Sequence, residues 1–155
     1  MLRIDDPRDE MLKLENQLCF ALVTAARNVV AIYRPILEPL GLTHPQYLVM
    51  LALWEHAPRA LGELAEELAM EPATLSPLVK RLEGQGLVTR TRSTADERVL
   101  ELGLTAEGAA LRERALDVPL QVMAATGMSV QQIAAVRDGL APFAGPKSTS
   151  QRRTG

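Results

Sequence analysis

A chain of 155 residues suits one domain, or one binding module with an added association element, and its 47% hydrophobic content excludes global disorder. Aromatics are only 3%, so the core must be built from Leu, Val, Ile and Ala, and the formal net charge of −2 does not announce a nucleic-acid binder. No apolar run reaches the ~20 residues of a membrane span, and Met1–Glu10 lacks a signal-peptide core, so a cytoplasmic protein with no membrane partner is expected.

From the N-terminus, Leu12, Leu14, Leu18, Leu22, Val29, Val30 and Ile36 recur at helical spacing, predicting one long helix over Met11–Glu38 that ends before Gly41. Thr43-His44-Pro45-Gln46 is a capping box, and a second helix runs from it towards Pro58. A short third helix is expected over Leu61–Ala69. A fourth follows over about Pro72–Glu83, with Leu75, Leu78, Val79 and Leu82 as its apolar stripe and Gly84 and Gly86 as its stop. Two starts remain open for that helix: at Pro72, or with Thr74 as N-cap, which would place Pro77 in the first turn. Two short strands come next, Leu87–Thr91 and Val99–Leu102, joined by a polar, charged loop. Thr105 caps a fifth helix, interrupted near Pro119, and a second capping box at Ser129-Val130-Gln131-Gln132 opens a sixth.

The order of these elements is that of a winged helix-turn-helix: mainly α, with a small β-hairpin wing, flanked by N- and C-terminal helices that serve dimerisation. In that arrangement the second helix of the pair enters the major groove. Between Pro72 and Arg98 five bases, Lys80, Arg81, Arg90, Arg92 and Arg98, stand against the acids Glu83, Asp96 and Glu97, so this stretch is +2 and the remainder −4. Opposite the apolar stripe the fourth helix carries Ala73, Pro77, Lys80 and Arg81, flanked by Thr74 and Ser76. Small and hydroxyl residues allow close approach to base edges, and the two bases reach phosphate or guanine. Arg90, Arg92 and Arg98 on the hairpin suit the negative potential of a minor groove. The bland alternative, an ordinary solvated helix face, is weakened by the basic hairpin that directly follows.

These residues resemble the MarR family. Asp96-Glu97-Arg98 is similar to its Asp-x-Arg wing signature, Leu78–Val88 to its recognition-helix exit and Leu104–Gly108 to the start of its next helix. On that resemblance, 11–144 is one MarR-type domain, with a DNA lobe at 42–104, dimerisation helices at 11–40 and 105–144, and flexible tails at 1–10 and 145–155. Leu14–Leu22, Pro45–Leu48 and Leu53-Trp54-Glu55 resemble its organic-hydroperoxide branch (OhrR), of the one-cysteine subtype. The branch implies that Cys19 is the peroxide sensor. It also implies that two tyrosines hydrogen-bond to the sensor across the dimer, one corresponding to Tyr33 and the other to His44, a departure. A further tyrosine of some members corresponds to Val23. The implied partners are double-stranded operator DNA, a second copy of the chain, an organic hydroperoxide as inducer, and a low-molecular-weight thiol after oxidation.

Physical chemistry constrains the sensor. Cys19 is the one cysteine, so an intrachain disulfide and a multi-cysteine zinc site are excluded, and no cofactor or metal is expected. A thiolate attacks an O–O bond, whereas a thiol barely reacts, so the anion needs donors, and neither Lys13 nor Arg27 lies within a turn of Cys19. Tyr33 lies fourteen residues further on, which is about 21 Å along a continuous helix. It can therefore bond only the Cys19 of another subunit. Two rival readings are a MarR-type repressor released by a small phenolic or lipid-like ligand, with Cys19 structural, and a peroxide-reducing enzyme. The second lacks a compact nucleophile–base–orienter set, so an enzyme is not expected.

Overall fold

The computed structural model describes residues 6–145. Helix α1 spans Pro7–Met11, a 3₁₀ turn covers Leu14–Asn16, and α2 runs over Leu18–Leu37 before a second 3₁₀ turn at Glu38–Leu40. The single helix expected from Met11 is therefore broken, and its continuous part begins seven residues later. Most of the two expected tails lies outside the described residues. Within residues 6–10 a helix forms instead, because Asp6 accepts the Arg8 backbone N–H at 2.9 Å and Pro7 suits the first turn.

Helix α3 spans His44–Glu55, α4 Leu61–Glu67 and α5 Pro72–Gly84. The capping box of α3 is present in both directions, with the Gln46 backbone N–H donating to Thr43 Oγ1 (3.4 Å) and the Thr43 N–H to Gln46 Oε1 (2.9 Å). Gly41 takes the left-handed conformation, φ +71°, that ends the preceding turn. The start of α5 is at Pro72 with Glu71 as N-cap, so Thr74 is helical and Pro77 lies inside the helix, where it forfeits the bond to the Ala73 carbonyl.

Strands β1 (Arg59–Ala60), β2 (Val88–Arg92) and β3 (Leu100–Leu104) form an antiparallel sheet in the order β1-β3-β2. The hairpin pairs Val88 with Leu104 and Arg92 with Leu100, one or two residues later than the apolar pattern suggests. Strand β1 is too short to announce itself by alternation. It pairs Arg59 with Leu102 and is held by the Arg59 guanidinium, which reaches Glu67 on α4 and the Ala52 carbonyl on α3 (3.3 Å).

Helix α6 spans Ala106–Ala115, α7 Val118–Thr126 and α8 Val130–Gly139. Thr105 caps α6 by accepting the Gly108 N–H and ties it to the hairpin by donating to the Gly86 carbonyl (2.6 Å). A Cβ at position 108 would lie 1.9 Å from the Leu87 carbonyl oxygen, so only glycine lets the helix sit so close to the wing. The Trp54 indole N–H donates to the Gly108 carbonyl at 2.8 Å.

The core collects Leu37, Val49, Met50, Leu53, Leu64, Leu75, Val79, Leu82, Val88, Leu102 and Val118. It lies where the end of α2, α3–α5, the sheet and the α6–α7 region meet. Of the twenty residues of α2 only Ile36 and Leu37 are buried, and α8 buries none. The stretch Leu18–Leu40 has the length and hydropathy of a membrane span, contrary to the expectation that no apolar run reaches that length. Arg27, Asn28 and Arg34 interrupt it, and its last turn is packed into the core.

Candidate DNA interface and redox site

The turn between α4 and α5 makes the helix-turn-helix, and α5 presents its two sides unequally. Leu75, Val79 and Leu82 are buried and Leu78 is half-buried. Ala73, Thr74, Pro77, Lys80 and Arg81 are exposed, and Ser76 is half-buried. The structure thus places the five residues expected to meet DNA, Thr74, Ser76, Pro77, Lys80 and Arg81, on one helix together with Ala73.

The wing loop folds on its own polar groups. Ser93 is buried, its backbone N–H donating to the Val99 carbonyl (2.8 Å) and its hydroxyl accepting the Ala95 N–H (3.2 Å). Asp96 Oδ1 accepts the Arg98 backbone N–H at 3.0 Å and Arg98 Nε at 3.2 Å. The Arg98 side chain is nevertheless 91% exposed. Asp96 therefore aims Arg98 without neutralising it in a buried pair. Arg92 is exposed at the edge of the same hollow, lined by Arg92, Ser93, Thr94, Glu97 and Arg98. Arg90 is placed differently from Arg92 and Arg98. It is half-buried, pairs with Glu83 of α5 at 3.1 Å, and keeps Nε buried without a partner. Its guanidinium braces the hairpin against the recognition helix.

Cys19 is exposed at the second position of α2. The unsatisfied amides of that first turn carry partial positive charge, which favours an anion there. With a continuous first helix, Cys19 would have had no such neighbours. Tyr33 sits on the same unbroken helix, about 21 Å along its axis. It packs edge-on against His44, ring centroids 5.2 Å apart, and lies 5.9 Å from the tilted ring of Tyr47. The structure therefore brings Tyr33 and His44 together within one chain and leaves Cys19 at the other end of the helix. Tyr47, which lies in the Pro45–Leu48 stretch that resembles the organic-hydroperoxide branch, completes this cluster. Burial lowers the His44 pKa from its ordinary value and raises that of Tyr47, helped by Tyr33.

Around Cys19 the surface is apolar. Met11, Leu12, Leu14, Leu18, Phe20 and Val23 are all exposed, as are Leu116, Leu120, Val130, Val136 and Phe143 towards the other end of the chain. A groove of about 980 Å³ runs between α2, α7 and α8, with Val29, Tyr33, Val122, Met123, Ile133 and Leu140 in its walls. Among the described residues no cluster of His, Cys, Asp or Glu is arranged to hold a metal ion.

The MarR family pattern matches residues 42–100. Over 129 residues the chain is 41% identical to the organic hydroperoxide resistance transcriptional regulator of Bacillus subtilis, covering 83% of this chain and 88% of that protein. Among solved structures it is similar to reduced AbfR bound to DNA, with a TM-score of 0.73, 32% identity and coverage of 88% and 95%; AbfR, from Staphylococcus epidermidis, has also been solved overoxidised and bound to DNA. The repressor CouR on a 23-mer DNA duplex superposes with a TM-score of 0.77 at 29% identity, covering 86% of this chain and 96% of that one.

Proposed function

Given that the chain belongs to the MarR family of transcriptional regulators, we propose that it is a homodimeric, cytoplasmic repressor that leaves its operator when Cys19 is oxidised by an organic hydroperoxide. It is a DNA-binding regulator and not an enzyme. Helix α5 enters the major groove with Thr74, Ser76, Pro77, Lys80 and Arg81, and the wing lays Arg92 and Arg98 on the flanking minor groove, Asp96 holding Arg98 in aim. Arg90 acts indirectly, by fixing the wing to α5.

The observation that carries the redox part is the position of the only thiol. It stands exposed at the first turn of a helix whose Leu18, Phe20 and Val23 are uncovered within one chain. A twofold dimer that buries these residues sets Cys19 of one subunit beside Tyr33 and His44 of the other, which one chain cannot do. The thiolate sulfur attacks one peroxide oxygen, the O–O bond breaks, and the alkoxide leaves and takes up a proton as the alcohol. The cysteine is then a sulfenic acid. A small thiol can condense with it, releasing water and forming a mixed disulfide. Overoxidised AbfR is found on DNA, and two or three added oxygens are small beside a whole thiol molecule. The bulky adduct at the subunit interface is thus the form that reorients the two lobes and shifts the population away from the DNA-binding geometry.

The test is operator binding before and after an organic hydroperoxide, with and without a low-molecular-weight thiol, alongside mass spectrometry of Cys19. Loss of binding in step with the mixed disulfide supports the reading. Release with Cys19 unmodified would transfer the function to the groove of about 980 Å³ and to a phenolic or lipid-like ligand held there.

A further inference from the structure

The geometry points to Gln85 as a positioning residue that carries the state of the Tyr33–His44 contact to the recognition helix, an inference that rests on the redox and DNA roles given above. Gln85 is the C-cap of α5, its backbone N–H closing the last turn on the Arg81 carbonyl (2.9 Å). Its side-chain Nε2 donates to the Gly41 carbonyl at 2.7 Å. Its Oε1 accepts Nε2 of Gln46 at 3.1 Å, and Gln46, which is buried, uses its own Oε1 to accept the Thr43 N–H. A closed run of amide bonds therefore clasps the three-residue turn Gly41–Thr43 to the end of α5. The residue directly after that turn is His44, whose ring meets the edge of Tyr33. The turn thus has the aromatic contact on one side and the recognition helix on the other.

The physical point is directionality. Apolar side chains such as Leu42 and Leu82 hold α5 near the turn but let it slide and tilt at little cost, whereas a pair of amide bonds fixes an angle. Gln46 cannot yield, because a buried amide deprived of either partner is costly. A shift of His44 against Tyr33 moves the turn, and Gln85 converts that movement into a rotation of α5 in the groove. The role is one of position, since Gln85 makes no base contact in this scheme.

The experiment uses the full chain and Gln85→Met, which keeps the length and apolar stem but removes both hydrogen bonds. Gln85→Glu is the second variant; it still accepts from Gln46 yet cannot donate to Gly41. Hydrogen-exchange mass spectrometry first reads residues 80–87 in the reduced protein, with His44→Ala as the perturbation. In the Gln85 background His44→Ala raises exchange there about threefold or more, the lower end of coupling within one network, and in either Gln85 variant the added effect disappears. The same increment in all backgrounds, or none in any, overturns the proposal. The second reading compares operator affinity of wild type and variant before and after complete conversion of Cys19 to its mixed disulfide. The affinity ratio between the two forms falls in the variants while the Cys19 oxidation rate stays that of wild type, and an undiminished ratio overturns the proposal as well. A wild type that keeps its operator after oxidation defeats the hydroperoxide reading, and the exchange result then decides the Gln85 coupling by itself.

Discussion

The DNA lobe and the terminal helices solve opposite problems with the same kinds of residue. In the lobe, α3, α5 and the sheet bury Leu53, Leu75, Leu82 and Leu102 completely or nearly so within one chain, and the polar groups close on themselves through Thr43, Ser93 and Thr105. At the ends, α2 and α8 are as helical as α5 but leave Leu18, Val23, Val130 and Val136 open to water. Large apolar side chains left open to water in this number call for a partner. The difference teaches where each function resides. On the proposed reading, each subunit carries a full set of DNA-contact residues, whereas the redox site is assembled from two subunits.

The sharpest way to break that comparison is at the sulfur. Cys19→Ser should fold, dimerise and bind the operator as wild type does, yet lose its response to organic hydroperoxide entirely, because a hydroxyl is a poor nucleophile towards the O–O bond. Gel-shift titration over a hydroperoxide series reads this directly. Release of the serine variant at the wild-type dose would make Cys19 a bystander. Next in size, Leu120→Glu tests whether the open face is an interface. Leu120 is 60% exposed in one chain, where such a change costs roughly 0.5 kcal/mol at most. A carboxylate buried without a partner between subunits costs several times that, so dimer dissociation measured by sedimentation should rise about 100-fold or more. An unaltered dimer would move the interface elsewhere.

How far the sequence could be read follows the same division. The capping boxes at Thr43 and Ser129, the Thr105 cap and the stripe of α5 depend on neighbours three or four residues away, and all appear as expected. The break before Leu18 was hidden because Leu12 and Leu14 continue a helical spacing although the chain there turns. Strand β1 was hidden because two residues cannot show alternation, and its stability comes from Leu102 and Glu67, distant in sequence. Arg90 looked like its neighbours Arg92 and Arg98. Arg90 and Arg92 share one face of β2, and it is position along the strand that tells them apart: Arg90, nearer the end of α5, reaches Glu83. The contact of Tyr33 with His44 is likewise not legible locally, since the two residues belong to different helices and meet only through the packing of α2 on α3.

Within the lobe, the predictions are smaller. Arg98→Ala should weaken operator binding about tenfold, as loss of one good groove contact does, with the melting temperature unchanged because the side chain touches no core residue. Asp96→Ala should cost less, since it removes only the aim of Arg98. Lys80→Ala should lower the slope of log affinity against log salt by about one if it meets a phosphate. Fluorescence anisotropy across a salt series measures all three. Wild-type affinity in both Arg98→Ala and Asp96→Ala would remove the wing from the interface.

The smallest effect is the most informative about the shared site. Burial lowers the His44 pKa from its ordinary 6.5, so the folded chain prefers the neutral imidazole more than the unfolded chain does. As pH falls below about 6.5 the unfolded state takes up the proton first. Stability from this source is therefore complete above that pH and is lost as pH falls through the folded value. Urea unfolding of wild type and His44→Phe should agree in their pH dependence above pH 7, and the wild type should lose more stability between pH 6.5 and pH 5. Across a dimer a second influence enters with the opposite sign. A Cys19 thiolate of the partner subunit beside His44 would favour imidazolium and draw its titration back upward. The two influences separate in the imidazole resonances of His44 followed against pH in wild type and in Cys19→Ser. The serine variant keeps the burial and lacks the thiolate, so its midpoint should lie below that of wild type. Coincident curves would mean that no thiolate faces His44, and the donor to Cys19 would then be Tyr33 alone.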